Sequence, residues 1–301
     1  MNSSPCPPVA GAGEPVDSAL DEAYERMART DFELPNGFVN HGPMACEALA
    51  VLGRHEQVDG WARWFADAVG EGPKPVEPNG TRLFDWSSAL GDYQRLPEWL
   101  GYYGQFLADS GWESAIEVWV PRLMPGLASA LFHGAIRTAH AARAVSVSDT
   151  EPRRAELARS LAYWSARFRP GQDVAQGGTV REVRDDVIEA AADGASRYVT
   201  RPSIFHLHGV TGAMAVEILV DHLPPAAGDD ALRQLRADHE AIYRGIEVTV
   251  AANSGAWDDA WVDRATRSRD AHQVKLVESC RRGFEATGDP RFAAAAERVV
   301  G

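Results

Sequence analysis

The sequence predicts an all-α protein built as one large helical domain. Apolar residues recur at spacings of three and four rather than two, the segments they define are rich in alanine, and prolines and glycines separate those segments at helical lengths. Hydrophobic residues make up 45% of the 301 and charged residues 24%, an ordinary globular composition that excludes disorder as the main state. No run of alternating strands and no internal repeat of fixed period is visible.

Each element has its own signal. Residues 1–15 carry Pro5, Pro7, Pro8 and Gly11 without a basic or apolar leader, and read as a mobile tail before a helical domain over 16–301. Asp17 can cap a helix over roughly 18–29. Met44, Leu49 and Leu52 give the stripe of a second helix, roughly 42–53, and Trp61, Trp64 and Phe65 that of a third. The glycines and prolines of 70–80 mark a loop. Pro97, Pro121 and Pro125 punctuate helices at roughly 97–108, 112–119 and 126–145, and 151–168 follows. After a second loop, 170–178, Pro202 suits the first turn of an apolar helix that Pro224 and Pro225 stop. Helices over 231–250 and 269–286 complete the series.

Charge and missing motifs narrow the chemistry. Thirty basic against 43 acidic residues give a net charge of −13, which disfavours a nucleic-acid or anionic-membrane partner. No apolar run approaches the ~20 residues of a membrane helix, and three cysteines without a CxxC make a disulfide framework or thiolate zinc site improbable. The expected setting is cytoplasmic. Neither nucleotide-binding glycine fingerprint, GxSxG nor HExxH is present, so no flavin is expected, and no haem. No histidine follows a glutamate at three residues or precedes a carboxylate at two, which removes the di-iron bundle signature and the usual two-His-one-carboxylate pattern.

Nine histidines remain. His55, His222 and His239 sit in polar or terminating contexts and read as exposed or capping residues. The other six lie among small or apolar neighbours. His41 stands at a helix entry. His133 and His140 are two turns apart on one face, ~10.5 Å along the axis, too long a span for both to bind one ion easily. Arg137 between them could steer an anionic substrate oxygen. His206 and His208 cannot both face one site on a regular helix, and His208 is the preferred inward one. His272 shares a face with Lys275. A single such histidine is most simply a hydrogen-bonded core residue; four separate helices each offering one point to joint metal binding, with imidazole a ligand for iron, zinc or copper. Trp86, beside the first Pro/Gly loop, could line a flat aromatic pocket, although most tryptophans belong to cores.

The segments FVNHGPMACEALAVLG, LPEWLGYYGQFL, FHGAIRTAHAARAV, HGVTGAMA and SRDAHQVKL, taken in that order and spacing, resemble the questin oxidase-like family of fungal and actinobacterial aromatic-polyketide pathways. The likeness runs from about Asp31 to Cys280. It implies an oxygenase that uses dioxygen on a polycyclic phenol or quinone such as an anthraquinone, by ring cleavage or Baeyer–Villiger-type insertion, with Fe(II) expected and NADPH possible. Position by position it points to His41, His133, His140, His208, His272 and Lys275; Arg137 stands where relatives carry a histidine, which leaves open which of His133 and His140 is a ligand. Together with the reading of the residues, the expected metal ligands are His41, His133, His208, His272 and Lys275, the catalytic residues Arg137 and His140, and the substrate contacts Arg137 and Trp86. His206 is an extra histidine beside the pattern. Two other readings stay open: a cofactor-free oxygenase using the same histidines as general bases, and a non-catalytic helical scaffold.

Lys275 is the least conventional ligand. A charged amine has no lone pair to donate, but burial beside a cation would depress its pKa. A neutral lysine can take up carbon dioxide as a carbamate, supplying the anionic ligand that the histidines lack. The bland alternative is that it snorkels to the surface or pairs with Asp270 or Glu278.

Overall fold

A computed structural model describes residues 15–76, 86–171, 183–244 and 255–301. Residues 1–14 of the expected tail, the end of the first Pro/Gly loop, most of the second and the end of the 231–250 helix lie outside the described residues. Among the described residues thirteen helices form, with 76% helix, and only two isolated β-bridges occur. No helix among them is long and apolar enough to cross a membrane.

The helices are α1 (Pro15–Met27), α2 (Gly42–Val51), α3 (His55–Ala68), α4 (Trp86–Ala89), α5 (Leu96–Leu123), α6 (His133–Val147), α7 (Glu151–Arg167), α8 (Val183–Thr200), α9 (Ile204–Val220), α10 (Pro225–Tyr243), α11 (Ala260–Arg267), α12 (Ala271–Thr287) and α13 (Pro290–Val300). The sequence reading missed α4, α8, α11 and α13. The two helices expected over 97–119 form one run broken at Gly111, whose φ of 81° is open to glycine and costly for other residues. Pro202 lies outside α9, because Ser203 is the N-cap and accepts from the His206 amide. His55 is the first residue of α3 rather than a turn residue.

Four helices form the inner ring. α2 packs on α6, α6 on α9, α9 on α12, and α12 closes onto α2. Each carries a histidine at or near its N-terminal end: His41 is the N-cap of α2, His133 opens α6, His208 lies in the second turn of α9 and His272 in the first of α12. The chain therefore enters all four at one end of the ring, and the other helices return it outside. A layer of charged side chains crosses the ring further along. Glu47 of α2 accepts from Arg143 of α6 at 2.7 Å, Arg143 donates to Glu278 of α12 at 2.7 Å, and Arg282 of α12 bridges Glu278 at 3.0 Å and Glu217 of α9. Burial alone would raise the Glu47 pKa, but Arg143 and His140 hold it down at about 2.

Backbone proximity in this ring depends on glycines at contact points. A Cβ on Gly134 would stand 2.6 Å from the Trp164 ring, where α7 crosses α6. Replacing Gly134 with Ala would gain about 1 kcal/mol of helix propensity. It also forces the fully buried Trp164 to move, an overpacking cost of about 1–3 kcal/mol. Gly134→Ala is expected to lower stability in urea denaturation; an increase would show that α7 can shift freely.

A candidate metal centre of four histidines

The approach to His41 is held by Asn40, whose side chain donates to Thr30 Oγ1 at 3.1 Å and to the Asp31 carbonyl at 2.9 Å, and accepts from the Gly42 amide at 2.9 Å. Gly42 lies so close to Met27 that a Cβ would come within 2.6 Å of its sulfur. His133 follows three consecutive left-handed residues, Ala130, Leu131 and Phe132, with φ of 46°, 55° and 65°. None is glycine, so the backbone stores strain just before a site residue. The Phe132 ring sits where α9 has Gly212, whose Cβ would stand 2.7 Å from it.

One ring nitrogen of each histidine is committed. Nδ1 of His41 donates to the Val39 carbonyl at 2.6 Å, Nδ1 of His133 to Ala130 at 2.5 Å, and Nδ1 of His208 to Ile204 at 2.7 Å. These three bonds place the proton on Nδ1 and leave Nε2 with a lone pair. Nε2 of His133 stands 3.0 Å from Nε2 of His41 and 3.1 Å from Nε2 of His208. His272 completes the set, its ring 4.4 Å from that of His41. Its Nδ1 lies 3.4 Å from Asp270, which also caps α12 through the His272 amide at 2.8 Å. One ligand atom from each of the four falls within 4.8 Å of all the others.

Electrostatics keep these rings neutral. Burial, then the charge of Lys275, lowers the pKa of His41 well below its ordinary value and brings His133 to about 3. Burial lowers His208 well below the ordinary value too, followed by His133 and Lys275. His272 is lowered less, since Asp270 opposes its burial. The positive ends of four helices disfavour imidazolium in the same place. Bare nitrogens 3.0 Å apart repel unless a cation or proton lies between them, and these rings do not take the proton. The arrangement is one that could hold a metal ion.

Lys275 is fully buried, and its ammonium nitrogen has no hydrogen-bond partner. It neither snorkels nor pairs with Glu278. Desolvation brings its pKa to about 7, so a large neutral fraction exists near neutrality. It follows His272 by three residues on α12, and its charge helps to lower the pKa of all four histidines.

The other expected site residues go elsewhere. Of the pair on α6, His133 enters the cluster, while His140 bonds through Nδ1 to Glu47 at 2.6 Å in the charged layer. Arg137 is buried in a two-pronged pair with Glu156, at 2.6 and 3.0 Å, and lies 4.8 Å from the centre of the Phe32 ring, while its Nη1 is buried without a partner. Trp86 packs edge-on against Trp119 at 5.4 Å, with Arg122 over it, in an aromatic cluster that includes Trp99 and Tyr102. His206 turns to the Arg201 carbonyl, so His208 is the inward one. The sequence reading missed Asp270 as the partner of His272, although an Asp two residues ahead of a helical histidine is itself a capping signal. His239, expected to be exposed, is 6% accessible.

Compared with known proteins, the chain matches no family model and no curated protein.

Lys275 gives a stability test. Below a pH of about 10 the unfolded chain holds the lysine proton, while the folded chain releases it near 7. The cost is full below pH 7 and fades as pH rises toward 10. In metal-free protein under carbon-dioxide-free buffer, Lys275→Met is expected to raise stability by ~1–4 kcal/mol at pH 7 and by much less at pH 10. Urea denaturation at both pH values checks it; a loss at pH 7 would mean that the amine has a stabilising partner.

Proposed function

We propose that this protein is a metal-dependent oxygenase acting with dioxygen on a polycyclic aromatic phenol or quinone. The observation that carries the metal is the set of bare Nε2 atoms of His41, His133 and His208 facing one another at 3.0 and 3.1 Å. The substrate class rests on the resemblance to questin oxidase-like proteins.

Fe(II) is the metal this reading assigns. Imidazole nitrogens suit iron as they suit other first-row metals, and the resemblance to an oxygen-using family selects iron among them. Bound iron supplies the one-electron chemistry that lets triplet dioxygen react with a closed-shell aromatic. His41, His133, His208 and His272 would hold it. The neutral Lys275 amine attacks carbon dioxide, forming a C–N bond and releasing a proton, and the resulting carbamate offers an anionic oxygen in a site with no carboxylate ligand of its own. The positive helix ends that disfavour imidazolium favour this anion. General-base catalysis without metal needs a free nitrogen turned toward the substrate, whereas here three free nitrogens turn toward each other.

Protein loaded with ferrous iron is expected to hold about one ion per chain, as one mononuclear site requires, and to consume oxygen with a hydroxyanthraquinone. His41→Ala, His133→Ala and His208→Ala should each lose the metal. His140→Ala should keep it and lose stability, because Glu47 loses a partner. Lys275→Ala should lose metal or turnover, with no rescue by bicarbonate. Full iron content in both His41→Ala and His208→Ala would sink the metal assignment; iron without oxygen uptake across hydroxylated aromatics would sink the oxygenase.

A further inference from the structure

Three of the clustered histidines give the Nδ1 proton to a backbone carbonyl. His272 differs, because its Nδ1 faces a carboxylate, Oδ1 of Asp270, at 3.4 Å. The same oxygen accepts from the His272 amide at 2.8 Å, so it caps α12 and faces the ring at once. His272 is also the most exposed of the four: its side chain is 26% accessible, whereas His41, His133 and His208 are buried.

A strained turn delivers Asp270. Arg269 stands immediately before it with φ of 54°, a left-handed conformation that is costly for a residue with a side chain. Ser268 Oγ donates to the Ala265 carbonyl at 2.7 Å and accepts from the Asp270 amide at 3.1 Å, which ties the turn to the end of α11. Arg269 itself is exposed, so burial of its side chain does not account for the strain. Among the described residues the non-glycine residues with positive φ are Ala130, Leu131, Phe132 and Arg269. Every one of them falls within three positions ahead of His133 or His272. Strain of this kind persists where the surrounding structure holds a functional geometry.

What the second turn can hold is a tautomer. A ring nitrogen that faces a carboxylate keeps the proton, because two acceptors turned toward each other repel. A carboxylate also carries a full charge where a carbonyl has only a dipole. It therefore makes its histidine a more basic metal ligand than the other three.

We propose that Asp270 is a positioning residue for the histidine cluster: its carboxylate fixes the His272 proton on Nδ1 and so presents Nε2 as the fourth metal ligand. The proposal rests on the metal reading of the cluster.

Two variants separate the capping of α12 from the hold on the ring. Ser is as good an N-cap as Asp, but its hydroxyl ends one bond short and carries no charge. Asn keeps an oxygen that can both cap and accept from the ring, and loses only the charge. Cobalt(II) is titrated into the metal-free full chain and followed by its visible absorption, beside nitrogen-15 spectra of the histidine rings without metal. Wild-type His272 is expected to be protonated on Nδ1. Asp270→Ser should keep the thermal stability of wild type, lose that tautomer preference and bind cobalt about tenfold or more weakly. Asp270→Asn should keep the tautomer and bind cobalt more weakly than wild type but more tightly than Asp270→Ser; it decides the matter if the Ser variant folds poorly. A wild-type His272 protonated on Nε2, or cobalt bound by both variants as tightly as by wild type, would overturn the proposal. Absence of cobalt from the wild-type chain would sink the metal reading and the ligand role with it, while the metal-free spectra still decide whether Asp270 holds the ring.

Discussion

The arrangement of the inner ring turns on three hydrogen bonds from imidazole Nδ1 to backbone carbonyls, those of Val39, Ala130 and Ile204. Each carbonyl belongs to the chain just before or at the start of the helix that carries the histidine. The bonds therefore fix ring rotation and tautomer together, using only local backbone. Once the protons are fixed outward, the inward nitrogens are free to act as donors to a metal, and the packing of α2, α6, α9 and α12 brings them to van der Waals distance. The left-handed turn at Ala130–Phe132 is the price of aiming one of those carbonyls.

Two polar layers divide the work along the ring. At the N-terminal end, neutral imidazoles and an unpaired lysine leave an electron-rich pocket under positive helix ends. Further along, Glu47, Arg143, Glu278, Arg282 and Glu217 neutralise one another across the same helices. Buried ion pairs add little net stability but are costly to break, so the charged layer serves to fix which helix neighbours which. The first layer resembles the reverse case, with groups kept unsatisfied in the free protein and stabilised only by what they bind.

Much of this was legible in the sequence. Periodicity and proline punctuation gave most helices, and the apolar settings of His41, His133, His208 and His272 singled out the residues that converge. The chain order could not say which of His133 and His140 would enter the cluster, since both lie on one face; the choice depends on Glu47, nearly a hundred positions away in sequence, capturing His140. The pairing of Arg137 is illegible for a similar reason, its partner Glu156 being on the next helix. His239 looked exposed because Asp238 and Glu240 flank it, yet on a helix neighbours in sequence point in different directions. Of the missed helices, α4, α11 and α13 run for only 4, 8 and 11 residues, too short to repeat an apolar period often.

The four clustered histidines are drawn from much of the span of the chain, from position 41 to position 272. The first three form an incomplete set until α12 closes the ring against α2 and α9. Whatever the cluster holds, it would hold only in the finished fold: a product lacking α12 lacks His272 and one wall of the ring.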